Sequence, residues 1–337
     1  MSVATSPSPA PAAPLPGARG PLTEWLLEHL AAGPHDVGAA PPVTEDPLTG
    51  DDLHLALYLC YELHYRGLDG VDEGWEWEPS LLAARATLER AFEDALVAEV
   101  GSPSPVDDIE DELRRILAAA EGPSLSTELL ERGSLELLRE FSVHRSAYQL
   151  KEADPHSWAL PRIGGRAKAA LVEIQTDEYG GGVEAEMHAT LFADVLGALG
   201  LDAGYGAYLD RLPGTTLATV NLISLFGLHR RWRGALVGHL AVFEMTSVVP
   251  MGRYAELSRR LGLPREARRF YDVHVVADAV HQVVASRDLA AGFAAAEPDR
   301  AGDVAFGARA LMAVEERFAR TLLEAWEARR SSLLPAT

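Results

Sequence analysis

Apolar residues recur every three to four positions along most of the chain from Asp51 onward, which is the period of an amphipathic helix. No alternation of apolar and polar residues typical of a strand continues for more than a few positions. Glycine and proline separate the periodic segments. The pattern therefore predicts an all-α protein, a multi-helix bundle. We expect helices over 23–32, 51–67, 79–100, 106–122, 134–152, 161–178, 184–199, 215–226, 231–246, 265–285 and 299–329.

The N-terminal segment has a different character, because ten of the 21 prolines fall within its first fifty residues. Its first twenty residues are rich in Pro, Ala and Ser and have no hydrophobic period, which predicts disorder. We therefore divide the chain at two points, with a Gly/Pro/Ser patch over 121–126 as the second joint. The three parts are a disordered tail with one short helix over 1–45, an N-terminal helical layer over 46–125 and a catalytic bundle over 126–332.

Charge and cysteine content exclude several classes of function. The 337 residues include 30 basic and 50 acidic side chains, a net charge of -20, which disfavours nucleic acid and anionic membranes as partners. The single cysteine, Cys60, allows neither an intrachain disulfide nor a cysteine-based zinc site. No apolar run reaches the roughly 18 residues of a membrane span, and the N-terminus lacks the pattern of a secretory signal. The sequence thus predicts a soluble cytoplasmic protein.

The sharpest chemical signal lies in the segment EARRFYDVHVVADAVHQVVA. His274, Asp278 and His281 are spaced i, i+4 and i+7, so they lie within about 60° of one another on a helix. The apolar stripe beside them consists of Val273, Ala277, Val280 and Val284. Two imidazoles and a carboxylate at the edge of a buried face need partners, and a divalent metal supplies them. The alternative is that these side chains are simply solvated.

Further donors on other segments strengthen the metal hypothesis. Glu152 ends one predicted helix, and Glu244 interrupts an apolar helix. Glu178 and His188 are the first and last residues of the sequence EYGGGVEAEMH. The complete candidate set is Glu152, Glu178, His188, Glu244, His274, Asp278 and His281. Four carboxylates and three imidazoles suit a dinuclear site. His274, Asp278 and His281 alone would suit a mononuclear iron site, which stays an alternative.

Two acids compete as the partner of His188. Glu184 lies four residues before it and would face the same way on a continuous helix, whereas Glu178 lies ten residues before it. The three glycines at 180–182 either distort a helix so that Glu178 turns inward or form a loop between two helices. The residues alone leave this choice open.

These motifs resemble those of the heme-oxygenase-like diiron oxidases and oxygenases, in particular the bacterial iron-containing redox enzymes. The resemblance rests on KEADPH (Glu152), EYGGGVEAEMH (Glu178 and His188), Glu244 and the His-x3-Asp-x2-His run from His274. It covers roughly residues 135–329. The ferritin-like scaffold is disfavoured, because the chain contains no Glu-x-x-His.

The resemblance implies a heme-oxygenase-like bundle, two iron ions and O2 as co-substrate, with a small molecule such as an amine, amino acid or fatty acid as substrate. It favours Glu178 over Glu184 and makes Glu178 the bridging ligand. Glu152 and His188 would then hold one iron. His274, Asp278 and His281 would hold the other, with Glu244 labile between the two. The resemblance leaves open whether the protein uses an external electron donor and whether it forms a homodimer. The competing hypotheses are a non-catalytic ligand-binding protein and a cofactor-free oxidase on the same scaffold.

Overall fold

The computed structural model describes residues 12–335, and the prediction of an all-α protein is confirmed for them. Their only β pairing is an isolated bridge between Ala13 and Leu68. The helices are α1 (Pro21–Leu30), α2 (Asp51–Glu62), α3 (Pro79–Val100), α4 (Ile109–Ala118), α5 (Leu125–Arg132), α6 (Leu135–Gln149), α7 (Asp154–Ser157), α8 (Gly165–Glu178), α9 (His188–Ala198), α10 (Gly214–Leu228), α11 (Arg233–Arg260), α12 (Glu266–Val283), α13 (Ala291–Ala296) and α14 (Ala301–Glu327). A π-helical turn, Val284–Ala290, joins α12 to α13.

Side-chain caps fix several helix starts. The Asp108 carboxylate accepts a hydrogen bond from the Asp111 amide at the start of α4, and Ser134 does the same for Leu137 at the start of α6. Each cap satisfies an amide that has no partner within the helix. Helix α5 begins in the same way at Ser124, although the sequence pattern assigns this region to a joint.

Helix α11 is much longer than predicted, because it continues through Pro250 to Arg260 instead of ending near Thr246. Proline removes one backbone hydrogen bond and bends a helix, but packing can hold the helix together. Helix α11 packs along both α12 and α14. The stretch Arg230–Arg260 is the one part of residues 12–335 that is long and apolar enough to cross a membrane, and 61% of its most apolar window is buried inside the protein. This burial is consistent with the core helix of a soluble protein.

The N-terminal segment is more ordered than predicted. Residues 1–11 lie outside the described residues, but the backbone of Ala13 hydrogen-bonds to Gly67 and Asp69, and both oxygens of Asp52 accept amides at the start of α1. The prediction of disorder is therefore wrong for residues 12–20. A proline-rich segment that docks in an extended conformation needs no helical period, so the sequence pattern did not reveal its docking.

The predicted N-terminal layer shares its apolar core with the rest of the protein. Helix α2 packs on α10, and a continuous cluster of buried side chains runs from Leu22 to Leu322. Lys151 and Glu62 form a fully buried ion pair, 2.8 Å between Nζ and Oε2, that joins α2 to the turn after α6. The division at residues 46 and 126 remains a prediction.

Helices α11 and α14 cross at very short range, and two glycines allow this. A Cβ atom at Gly307 would overlap the Ala235 carbonyl group, and one at Gly238 would overlap the Val304 carbonyl group. The obstacle in both cases is backbone, which cannot rotate away. Glu244 lies on the same helix, six residues after Gly238.

Replacing Gly307 by alanine is therefore expected to destabilise the protein by about 1–3 kcal/mol, because the helices must move apart. The measurement is urea denaturation followed by circular dichroism. Gly197→Ala is the matched control: Gly197 is also helical, but a Cβ atom added there would meet no other atom within 4 Å. The control is expected to be neutral or stabilising by up to about 1 kcal/mol. Equal effects of the two substitutions would contradict the close crossing.

His144 is a buried structural histidine and does not contact the candidate metal ligands. Its Nδ1 lies 2.7 Å from Thr216 Oγ1 and its Nε2 lies 2.9 Å from Ser332 Oγ, so it ties α6 to α10 and the C-terminal segment. Both ring nitrogens have these partners, so His144 does not orient Glu152. Burial lowers the pKa of His144 to about 3.

This histidine is expected to contribute to loss of stability in acid. Between the pKa of about 6.5 in the unfolded chain and about 3 in the folded protein, only the unfolded chain takes up the proton, so stability falls as the pH falls through this window. The contribution is about 1.4 kcal/mol per pH unit. Urea denaturation of His144→Gln near pH 7 and near pH 5 is expected to show a weaker pH dependence than the unmodified protein. An unchanged pH dependence would contradict the assignment.

Candidate metal centre

All seven predicted donors are buried, and they converge from five different segments. Glu152 lies in the turn after α6, Glu178 is the last residue of α8, and His188 is the first residue of α9. The other four lie on the two long helices that pack against each other, Glu244 on α11 and three residues on α12. Their exposed fractions range from 1% to 7%: Glu152, Glu178, His188, Glu244, His274, Asp278 and His281.

One group of donors lies at the α9 side of the site. Ligand atoms of four side chains lie within 4.8 Å of one another: Glu152, Glu178, His188 and His274. His188 Nδ1 is 2.9 Å from Glu178 Oε2, and His274 Nε2 is 3.7 Å from Glu152 Oε1. Two ligands of one metal ion, each about 2.1 Å from it, lie at most about 4.2 Å apart. These two pairs are therefore close enough to share an ion.

A second group lies at the α11 side and includes Glu178 again. Ligand atoms of Glu178, Glu244 and His281 lie within 4.8 Å of one another. His281 Nδ1 is 3.4 Å from Glu244 Oε2. Glu178 is thus the one side chain common to both groups, which is the arrangement that a bridging carboxylate requires.

Asp278 lies beside the second group without belonging to either. Its Oδ1 is 3.7 Å from His281 Nδ1, and neither of its buried oxygens accepts a hydrogen bond. The geometry also divides the donors differently from the roles implied by the sequence resemblance. His274 lies with Glu152 and His188, whereas His281 lies with Glu244.

Hydrogen bonds behind the imidazoles determine which nitrogen faces the site. His274 Nδ1 lies 2.7 Å from the Phe270 carbonyl oxygen, so Nδ1 carries the proton and Nε2 faces the acids. His281 Nε2 lies 3.0 Å from Asp177 Oδ2, so its Nδ1 faces the acids. Such outer contacts orient metal-binding histidines. Asp177 is not among the residues predicted from the sequence, where its only signal is its position next to Glu178.

Burial and mutual repulsion control the protonation of the acids and imidazoles. Burial raises the pKa of Glu178 and of Glu244 to about 7. Burial lowers the pKa of His274, but the Glu152 carboxylate outweighs it, and the pKa is raised to about 10. For His281, the nearby carboxylates of Asp278 and Glu244 likewise outweigh burial and raise the pKa to about 11. Without a cation, protons on these imidazoles offset the crowded negative charge.

Several polar atoms of the site are buried without a hydrogen-bond partner among the described residues. They are Glu152 Oε2, Glu178 Oε2, His188 Nδ1, His274 Nε2, His281 Nδ1 and both oxygens of Asp278. His188 Nδ1 and Glu178 Oε2 belong to this set although they lie 2.9 Å apart, because the angles of their contact are unsuitable for a hydrogen bond. Buried polar atoms normally have partners. Here the orphaned atoms face one another across a common centre, so the donor set fits metal ions.

The loop between α8 and α9 settles which acid accompanies His188. Residues 180–186 form two short 3-10 turns, and Glu184 is exposed to solvent. The expected continuous helix over 184–199 is therefore wrong at its start. Gly180 has a φ of 61°, and a Cβ there would overlap the Glu186 backbone, so this tight loop requires glycine. The loop folds back and brings His188 to Glu178.

The apolar stripe beside the ligands on α12 is less buried than the ligands themselves. Within the stripe, Val280 is 58% exposed and only Val284 is buried, whereas the three ligands are at most 4% exposed. The ligands thus extend the buried face that begins with the apolar residues Phe270 and Tyr271. Their burial follows from the acids on the neighbouring helices, which the spacing of apolar residues along α12 does not indicate.

A sequence profile of iron-containing redox enzymes matches residues 139–316, more than half of the chain. The chain belongs to the iron-containing redox enzyme family. The resemblance proposed from the ligand motifs is thus confirmed, and with it the heme-oxygenase-like all-α fold. No curated protein sequence matches this family member.

Solved structures with the same fold include two crystal structures of a CADD-like protein of unknown function from Nostoc punctiforme. They share 17% sequence identity with this chain, with TM-scores of 0.52 and 0.51. The matches cover 64% and 68% of this chain and 96% and 97% of the CADD-like protein. At this level of identity the likeness shows the fold alone.

Proposed function

We propose that this family member is an O2-activating non-heme diiron oxidase or oxygenase that acts on a small molecule. The observation that carries the proposal is the position of Glu178, which belongs to both groups of converging donors. One iron would be held by Glu152, Glu178, His188 and His274, and the other by Glu178, Glu244 and His281, with Asp278 beside it. Ferrous ions bound there would supply the electrons that reduce O2.

Charge balance supports two divalent ions. The site contains four carboxylates, Glu152, Glu178, Glu244 and Asp278, and three imidazoles that bind metal in the neutral form. Four negative charges match two divalent cations. One divalent ion would leave two buried negative charges for protons to neutralise.

The surroundings of the donors support a reaction shielded from water. A cavity of about 20 Å³ at the donors is lined on its other side by Leu240, Phe243 and Met251. It holds no more than about one water molecule. The chain thus provides an apolar wall beside the acids, which limits the access of bulk water.

The mononuclear alternative receives less support from the geometry. A site made by the α12 residues alone requires His274 and His281 to share one ion, but their inward nitrogens fall in different groups. A non-catalytic binding protein would not need so many unpartnered buried donors, because their burial costs stability.

The experiment is anaerobic loading of the metal-free protein with Fe(II), followed by exposure to O2. We expect O2 consumption proportional to the bound iron and a transient absorption change that free Fe(II) does not produce. His188→Ala serves as the variant that loses one imidazole ligand, and it is expected to consume less O2. Iron binding without O2 consumption above that of free Fe(II) would contradict the oxidase proposal and favour the binding protein.

A further inference from the structure

An apolar chamber lies directly beside the candidate metal centre. It has a volume of about 220 Å³, and its walls include the rings of Phe141, Phe192, Phe243 and Phe270. Phe243, Ser247 and Met251 line both this chamber and the small cavity at the metal donors. The chamber is therefore separated from the donors by one layer of side chains on α11.

The opposite end of the chamber leads to the surface. An open cleft of about 930 Å³ lies between the α4–α5 region and α14. The side chains common to the cleft and the chamber form its mouth: Arg145, Pro250, Tyr254, Met312 and Glu315. Cleft and chamber thus form one route from solvent to the layer of side chains that covers the metal donors.

An ion pair at this mouth keeps hydrogen-bond acceptors available. Arg145 donates to both oxygens of Glu315, at 2.9 and 2.8 Å, and its guanidinium lies 4.5 Å from the centre of the Phe318 ring. Each carboxylate oxygen has a second lone pair. Glu315 is 25% exposed and can therefore accept a further hydrogen bond without breaking the pair.

Inside the chamber, the wall offers another acceptor. Gln149 is 4% exposed, and its amide nitrogen points to Glu152 Oε1 at 3.4 Å, while its Oε1 has no partner. The hydroxyl groups of Thr246 and Ser247 donate to backbone carbonyls of α11. The Tyr271 hydroxyl, which also has no partner, can donate or accept and does not discriminate. The acceptors that remain, on Glu315 at the mouth and Gln149 in the wall, therefore favour a ligand that carries a hydrogen-bond donor.

The net charge of the whole protein favours a cation at the entrance. The cleft is lined by five carboxylates and three guanidinium groups: Glu99, Glu112, Glu121, Glu315 and Glu316, with Arg115, Arg145 and Arg309. All of these carboxylates except Glu121 form ion pairs with arginines, two of which lie outside the lining, so the cleft itself carries little excess charge. The whole chain carries a net charge of -20. Such a field attracts cations to the cleft and repels anions.

We propose that the substrate is a compact amine cation whose apolar body occupies the chamber and whose ammonium group binds Glu315 at the mouth. The chamber is smaller than pockets for drug-sized ligands, which measure about 300–1,000 Å³. The apolar body of the ligand therefore contains on the order of ten non-hydrogen atoms. In this orientation its apolar end faces Phe243, Ser247 and the metal centre. That this ligand is a substrate rests on the function proposed above, but its binding does not require iron.

The test uses three probes with the same body and different end groups: 3-phenylpropylamine, 3-phenylpropanol and 3-phenylpropionate. Their binding to the metal-free protein is measured by titration calorimetry. We expect the amine to bind about tenfold more tightly than the alcohol, with the carboxylate weakest. Tighter binding of the carboxylate, or equal binding of all three, would overturn the amine assignment.

Two variants locate the binding site. Leu311→Trp places a larger side chain in the chamber wall and is expected to abolish binding of the amine and the alcohol alike. Glu315→Gln is expected to reduce the affinity for the amine to that for the alcohol. Glu128→Gln, which removes a carboxylate from the surface ion pair with Arg132, is its control. Circular dichroism confirms that each variant is folded. Unchanged amine binding in Leu311→Trp would overturn the chamber as the site.

The result of this experiment is independent of the result that tests the proposed function. Iron content and O2 consumption are measured without the probes, and probe binding is measured without iron. Selective amine binding to a protein that holds no iron would retain the ligand class and reject the oxidase. Two bound irons without amine selectivity would do the reverse.

Discussion

Glu178→Ala is expected to abolish tight binding of both metal ions, whereas Glu244→Ala is expected to weaken only one. Glu178 is the only side chain among the seven candidate ligands that belongs to both groups of donors. Its loss removes a ligand from each ion and leaves the remaining negative charges too few to neutralise two divalent cations. Loss of a single ligand typically weakens metal binding more than the roughly 10- to 100-fold effect of an outer-shell partner. The measurement is the iron retained after gel filtration.

Glu184→Ala is the matched control for this result. Glu184 lies six residues after Glu178, in the loop that follows α8, and has the same side chain, but it is exposed to solvent. Its removal is expected to leave both ions in place. Loss of iron in Glu184→Ala, or retention of one full equivalent in Glu178→Ala, would show that Glu178 does not bridge two ions.

Glu62→Gln is expected to destabilise the protein by about 3–5 kcal/mol, because it leaves the buried Lys151 ammonium without a counter-charge. Lys151 and Glu62 are 1% and 0% exposed. The remaining neighbours offer little compensation: the Lys151 ammonium faces the rings of Tyr58 and Tyr65, and the Tyr205 hydroxyl donates to Glu62 at 2.6 Å. Urea denaturation measures the change in the free energy of unfolding.

Two further variants separate the charge from the packing. Glu62→Gln combined with Lys151→Met removes both charges, and we expect it to recover much of the lost stability. Glu128→Gln removes one partner of the exposed pair with Arg132 and is expected to change stability by less than about 0.5 kcal/mol. A double variant as unstable as Glu62→Gln alone would mean that the unpaired charge is not the cause. Since Lys151 precedes Glu152, this pair also anchors the turn that carries a candidate ligand.

The helical architecture follows closely from the sequence, because the apolar period and the capping residues act locally. Helix α3 begins and ends where the pattern predicts, at Pro79 and Val100. The errors occur where distant contacts decide the structure. Helix α11 continues beyond Pro250 because α12 and α14 pack against it. Within residues 12–20, Ala13 hydrogen-bonds to the backbone on either side of Leu68, and Gly17 and Arg19 hydrogen-bond to the segment 209–210.

The candidate ligands could be identified from the sequence because their chemistry is unusual in apolar helices and because the spacing on α12 places three of them on one face. Their grouping could not be predicted. It depends on the turn that aims Glu152, on the tight loop at Gly180 and on the tautomers that Phe270 and Asp177 impose on the two α12 imidazoles. The burial of the three ligands on α12 could not be predicted from the sequence either, because it depends on acids supplied by other helices.

The central claim is that the seven donors hold two iron ions that share one carboxylate. Its most direct test is the number of Fe(II) ions bound per chain, measured by elemental analysis after anaerobic titration of metal-free protein and removal of unbound metal. The account predicts two ions per chain in the unmodified protein and in Glu184→Ala, and the loss of both in Glu178→Ala. A saturating value of one ion per chain, or of none, would contradict it.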